Sequence, residues 1–232
     1  MTTKPRSLPT MTAVSTPTPD LFLYYWRVAP NAAAAHVFPS STPFPLPMHT
    51  QTTTPLPLDA PHWWGYAALP DGVDYPMNGD DNPLTLICQF HHGDGMLSLF
   101  ADLDYYLGDY DAPAGPMGRW PANFYRVIWS PSRHGLHEHK ICYPDGTSAV
   151  PPAEPLDAPR QRSEVSHVWG EAEYFTDEVA QDYPGYRVLM QLDENDHLPL
   201  RFYDCGSLFF LIPEADAAAN RFDRVVCVLY SY

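Results

Sequence analysis

Basic side chains are scarce: 13 Lys and Arg stand against 28 Asp and Glu in 232 residues, a formal charge of −15 with His neutral. A phosphate backbone or an anionic membrane surface would be repelled unless the few cations clustered. They do not cluster, because the densest stretch, Arg160 and Arg162, is followed at once by Glu164. Nucleic acid and membrane are therefore not expected as partners. Cysteine is sparse too. Cys88, Cys142, Cys205 and Cys227 stand far apart with no C-x-x-C pair, which gives no zinc-ribbon or dithiol motif. Three of them sit in apolar runs (LTLICQF, HKICYP, RVVCVLY), where a reduced thiol behaves as a small hydrophobe. No apolar run reaches the length of a membrane helix, and the opening MTTKPRSLPTMTAVSTPTPD has no secretory h-region, so a reducing cytoplasm is expected. A P-loop, G-x-G-x-x-G and G-x-S-x-G are missing as well; no cofactor is expected, and no nucleophile can be assigned.

What is present favours strands. Hydrophobic residues reach 45%, enough for a packed interior, and the aromatics include 15 Tyr, 11 Phe and 6 Trp, side chains that suit a pleated, half-buried surface. Twenty-seven prolines argue for many loops and few long helices. Residues 1–19, rich in Thr and Pro, read as a flexible tail, and 20–232 as a single domain. Strand-like runs are expected at Leu21–Val28 and His62–Leu69. A helix is expected at Asn31–Val37 behind an Asn31 cap, and others at Asp177–Asp182 (capped by Thr176) and Glu214–Asn220 (behind Pro213). Tyr143–Arg162 reads as a proline-rich connection.

Three blocks recur in order about a hundred residues apart. LTLICQF compares with RVLMQLD, GMLSLFADLD with GSLFFLIPEAD, and FYRVIW with FDRVVCV. This ordering predicts an α+β fold, predominantly antiparallel, with two similar β-units around 84–129 and 187–231 and a few short helices.

The same blocks resemble the YwqG-like bacterial family, which carries a domain of unknown function. SSTPFPLP (Ser40 to Pro47) stands where that family has a Gly-Gly-x-Pro-x-Leu-Pro segment, without the glycines. NPLTLICQF, GMLSLFADLDYY and FYRVIW match its first strands. HVWGEAEYFT, VLMQLD, DCG, LFFLI and FDRVV match its second half, with Glu171 in place of a glycine. The resemblance implies a mixed, mainly antiparallel fold in a bacterial cytosolic protein. It implies no reaction.

Three constellations could carry function. In ADLDYYLGDYDAP, Asp102, Asp104, Tyr105, Tyr106, Asp109, Tyr110 and Asp111 lack calcium-loop spacing and read as an exposed surface for a partner, with Tyr as anchors and carboxylates as charge. Gln89 and Gln191 end equivalent apolar strands. They either satisfy neighbouring backbone groups or line a cleft together with Asp193 and Asp204. His134, His137 and His139, with His91 and His92 on another loop, are the only candidates for a metal; H-x-x-H-x-H is not a zincin helix, and no metal is expected. Two classes of function follow. The first is a non-enzymatic interaction protein that docks a basic partner, for example an immunity-type protein masking a toxin or effector. The second is an enzyme or small-ligand binder using a cleft between the units.

Overall fold

A computed structural model of the chain describes residues 56–103, 115–143, 145–156, 165–194 and 200–232. Two five-stranded antiparallel sheets face each other. The first has the order β6-β4-β3-β1-β8, from β1 (His62–Trp63), β3 (Thr85–His92), β4 (Gly95–Ala101), β6 (Tyr125–Ser130) and β8 (Glu154–Pro155). The second has the order β5-β12-β11-β10-β9, from β5 (Gly118–Arg119), β9 (His167–Gly170), β10 (Tyr186–Asp193), β11 (Ser207–Pro213) and β12 (Val226–Tyr230). A third, two-stranded sheet pairs β2 (Ala67–Pro70) with β7 (Leu136–His139).

Each sheet has an inner and an outer apolar face, which explains why β4 and β11 read as unbroken hydrophobic runs rather than alternating ones. On the inner side Cys88, Phe90, Leu97 and Leu99 of the first sheet share one core with Met190, Leu192, Leu208, Phe210 and Leu229 of the second. The outer face of the first sheet presents Leu86 and Phe100 to Ala67, Leu69 and Ile141. That of the second presents Val188, Phe209, Leu211 and Val228 to Phe175 and Val179.

The expected α+β class does not hold. Among the described residues helix is confined to α1 (Thr176–Asp182) and α2 (Glu214–Ala218), seven and five residues, while the strands build three antiparallel sheets. The division into two similar β-units fails with it. Strand β5 comes from the 84–129 stretch yet pairs with β12 in the second sheet (Val228 opposite Arg119), and β2–β7 forms a separate layer. The antiparallel pairing itself is as expected.

Local differences have local causes. His62–Leu69 is not one strand: Trp64 (φ 56°) and Gly65 (φ 76°) turn the chain between β1 and β2. Thr176 does not cap α1. It opens the helix, and its hydroxyl donates to the Ala172 carbonyl at 3.0 Å, while Phe175 occupies the capping position. Helix α2 stops at Ala218, and Asn220 follows in the left-handed region (φ 54°) that Asn tolerates better than most residues. The elements expected at Leu21–Val28 and Asn31–Val37 and the tail 1–19 lie outside the described residues. No described helix is long and apolar enough to cross a membrane.

Candidate functional site

The acidic surface is organised by one asparagine. Chain leaving β2 runs through DGVDYPMNGDDN, residues 71–82, and folds back on Asn78. The Asn78 side-chain carbonyl accepts the backbone N–H groups of Asp80 and Asn82, both at 2.9 Å, and its own N–H bonds to the Asn82 carbonyl at 2.7 Å. This Asx-type closure suits a residue that competes with regular structure for backbone groups. Tyr75 pins the loop from inside: it is buried, its hydroxyl donates to the Leu84 carbonyl at 2.8 Å, and burial pushes its phenol well above the ordinary range. Around it Asp71, Asp74, Asp80 and Asp81 remain exposed, with Met77 36% exposed among them.

Asp102, the first residue of the Asp/Tyr run, meets this loop. Asn78 Nδ2 donates to Asp102 Oδ2 at 2.8 Å, and the Asp102 N–H bonds to the Phe124 carbonyl at 2.8 Å. Asp102 is thus buried and structural rather than offered to a partner. It sets the start of the acidic run beside the acidic loop. Asp104, Tyr105, Tyr106, Asp109, Tyr110 and Asp111 lie outside the described residues.

The glutamines are not brought together. Both are fully buried, each follows a β-bulge (Leu86/Cys88 and Val188/Met190), and each lies on the outer face of its own sheet. Gln89 Oε1 accepts the Ala68 N–H at 3.0 Å and the Ser98 hydroxyl at 3.2 Å. Gln191 grips Glu173 twice: Oε1 accepts its N–H at 2.9 Å and Nε2 donates to its carbonyl at 2.6 Å. Of the two roles open to such residues, the geometry displays hydrogen bonds to backbone groups, and neither glutamine lines a cavity described below. Asp193 is buried and accepts the Ser207 hydroxyl at 3.1 Å, while Asp204 is exposed beside Ser231.

The histidines are likewise dispersed. His137 Nε2 lies 2.8 Å from Asp71, both well exposed. His139, half-buried, sits beside the Tyr75 ring, and its pKa is lowered chiefly by burial and secondly by His137, against the opposing pull of Asp74. His134 is exposed, with its N–H on the Ser132 hydroxyl. Among the described residues no three His, Cys, Asp or Glu side chains converge as a metal requires. His91 donates to the Asp59 carbonyl and His92 to Asn220 Oδ1, both at 2.7 Å. Cys88 and Cys227 are fully buried thiols pushed well above their usual pKa by desolvation, which removes thiolate reactivity.

Residues 132–230 match DUF1963, a domain of unknown function. The DUF1963 match begins just before β7 and covers all of β9 to β12 and both helices, so the acidic loop 71–82 falls outside it. No curated protein sequence matches the chain.

Cavities between described residues include a pair lined by none of Gln89, Gln191, Asp193 or Asp204. One of about 400 Å³ lies against Leu56, Pro57, His62, Tyr66, Glu138 and Pro151. Another, of about 260 Å³, lies at the edge where the two sheets meet, within the DUF1963 match except for His92. It involves a signal the apolar pattern hides, the H-x-W-G pair His62-Trp63-Trp64-Gly65 and His167-Val168-Trp169-Gly170. In both, His Nδ1 donates to the carbonyl two residues earlier (2.7 Å to Ala60, 2.6 Å to Val165), and Trp64 and Trp169 take positive φ of 56° and 50°. A bulky residue in that region is rare, and such positions mark sites held by their surroundings.

Proposed function

We propose that this chain is a protein-interaction module that docks a basic protein through the acidic face built on loop 71–82. The observation that carries it is the 2.8 Å bond from Asn78 to Asp102, which ties Asp102, the first residue of the Asp/Tyr run, to the loop that exposes Asp71, Asp74, Asp80 and Asp81. Met77 is exposed among the carboxylates of the loop. Such a surface steers a cationic partner and raises its association rate. Several cations are occupied elsewhere: Arg221 and Arg224 converge on Asp216, and Lys140 lies 3.5 Å from Glu138. An immunity-type protein that masks a basic toxin or effector is the form of this reading we favour. From the ordered blocks we also infer a YwqG-like bacterial protein working in the cytoplasm; the DUF1963 match supports its assignment to a family of unknown function.

The test compares affinity capture from native lysate by the wild type and by Asp74→Asn/Asp80→Asn/Asp81→Asn. A basic protein held at about 0.1 M salt, released near 0.5 M, and missed by the triple variant is the expected result. Identical captured sets for the two proteins would sink the reading.

A further inference from the structure

The edge cavity of about 260 Å³ is lined by His92, Trp169, Arg187, Glu214, Ala217 and Ala218. Its walls are fixed before any ligand arrives. Trp169 holds its left-handed backbone with the Arg187 guanidinium 5.0 Å from its ring centroid and the His92 ring at 5.3 Å, tilted by 33°. His92 is held in turn by edge contacts to Trp129 and Phe222, each 5.4 Å between centroids, and by its bond to Asn220. The floor, Ala217 and Ala218, belongs to α2. That helix is tied down by buried Asp216, whose Oδ1 accepts from Arg221 Nε at 3.0 Å and whose Oδ2 lies 3.0 Å from Arg224.

The charges on this cavity are of both signs. Arg187 and Glu214 are exposed on its lining, and no ion pair joins them among the described residues. A monoanion would meet Arg187 but leave Glu214 facing it, and a monocation would meet the reverse problem. A zwitterion satisfies both. The volume lies just below the range of sites for drug-sized ligands, which suits a molecule of amino-acid size.

We propose that this cavity binds a free α-amino acid with an aromatic or large apolar side chain. The carboxylate pairs with Arg187, the ammonium with Glu214, and the side chain packs on Trp169 and the two alanines. A planar guanidinium held by stacking is preorganised for bidentate carboxylate recognition. This site shares no residue with the acidic loop, so either proposal can fail without the other.

Calorimetric titration of the full chain with L-phenylalanine, 3-phenylpropionate and phenethylamine tests it. The last two each lack one charge. Wild type binds phenylalanine, and each analogue binds about tenfold more weakly or worse, the loss typical of one charged hydrogen-bonded contact. Glu214→Gln abolishes the preference over phenylpropionate, and Arg187→Gln abolishes that over phenethylamine. Both positions are exposed, and unchanged far-UV circular dichroism confirms that the variants fold. Stronger binding of leucine than phenylalanine, with the same dependence on both charges, also supports the site. Phenylpropionate binding as well as phenylalanine, variants that keep the wild-type preferences, or no heat up to about 10 mM ligand overturns the proposal.

Discussion

Gln89 and Gln191 look interchangeable along the sequence, yet they are satisfied unequally. Gln191 uses both amide atoms on Glu173, whereas Gln89 uses only Oε1, and its buried Nε2 meets no partner among the described residues. Replacing Gln191 with Leu strands a backbone N–H and a carbonyl, at a cost of about 1–3 kcal/mol. Gln89→Leu orphans the Ala68 N–H and the Ser98 hydroxyl, but a hydroxyl can rotate to another acceptor and the change removes an unsatisfied donor, so its cost is smaller. Urea titration of the two variants checks the order, and an equal or reversed order refutes this account. His139 offers a second test at this scale. Burial lowers its folded pKa below the usual value of about 6.5, so the unfolded chain takes up the proton first. Its contribution to stability is therefore complete above about pH 6.5 and is lost as pH falls through that value toward the folded pKa. His139→Gln should flatten the fall in melting temperature between about pH 7 and pH 5 relative to wild type. A parallel profile would show that other groups govern it.

Strand β4 depends on a glycine for a reason of packing. Gly93, at φ 55°, supplies the turn of the β3–β4 hairpin, and Gly95 opens β4 directly against β6. A Cβ at Gly95 would overlap the Ser130 carbonyl oxygen and the Trp129 ring. Gly95→Ala must push β6 away, costing about 1–3 kcal/mol as other overpacked sites do. Because Trp129 also braces His92, the same variant should raise hydrogen exchange in β6 and at the edge cavity, which exchange mass spectrometry would detect; protection equal to wild type would contradict it. Elements of this kind explain what the sequence disclosed. Strands β3, β4, β10 and β11 are legible because their residues are covered on both faces and leave continuous apolar runs. HWWGYAAL is equally apolar and misleads, since nothing in hydrophobicity marks Trp64 as a turn residue. The order of the recurring blocks does not say which sheet a two-residue strand such as β5 will join. The glutamines stand out in the sequence as polar ends of apolar strands, but nothing there chooses between backbone partners and a cleft or points to Ala68 and Glu173. The edge cavity gathers residues 92, 169, 187 and 214 from separate strands and a helix, a juxtaposition that no local pattern encodes.

At the scale of the whole molecule, a charge of −15 favours solubility and a basic partner, but it also works against the compact state through self-repulsion. Loop 71–82 concentrates that repulsion, with three exposed carboxylates, Asp74, Asp80 and Asp81, that have no cation within ion-pair distance among the described residues. Repulsion over such distances is sensitive to salt: the Debye length falls from about 30 Å at 0.01 M to about 10 Å at 0.1 M. Sodium chloride is the appropriate titrant because sulfate and phosphate would also strengthen apolar burial. Raising it from about 0.01 M to 0.3 M should increase the melting temperature by a few degrees, since about 1 kcal/mol corresponds to roughly 2–4 °C in a chain of this size. The Asp74→Asn/Asp80→Asn/Asp81→Asn protein should begin higher at low salt and gain less. This separates a surface kept acidic at a cost in stability from one whose charges are already balanced. A wild-type melting temperature that stays level or falls as salt is added would place the molecule in the second case, and would remove the electrostatic basis for docking a basic partner at this loop.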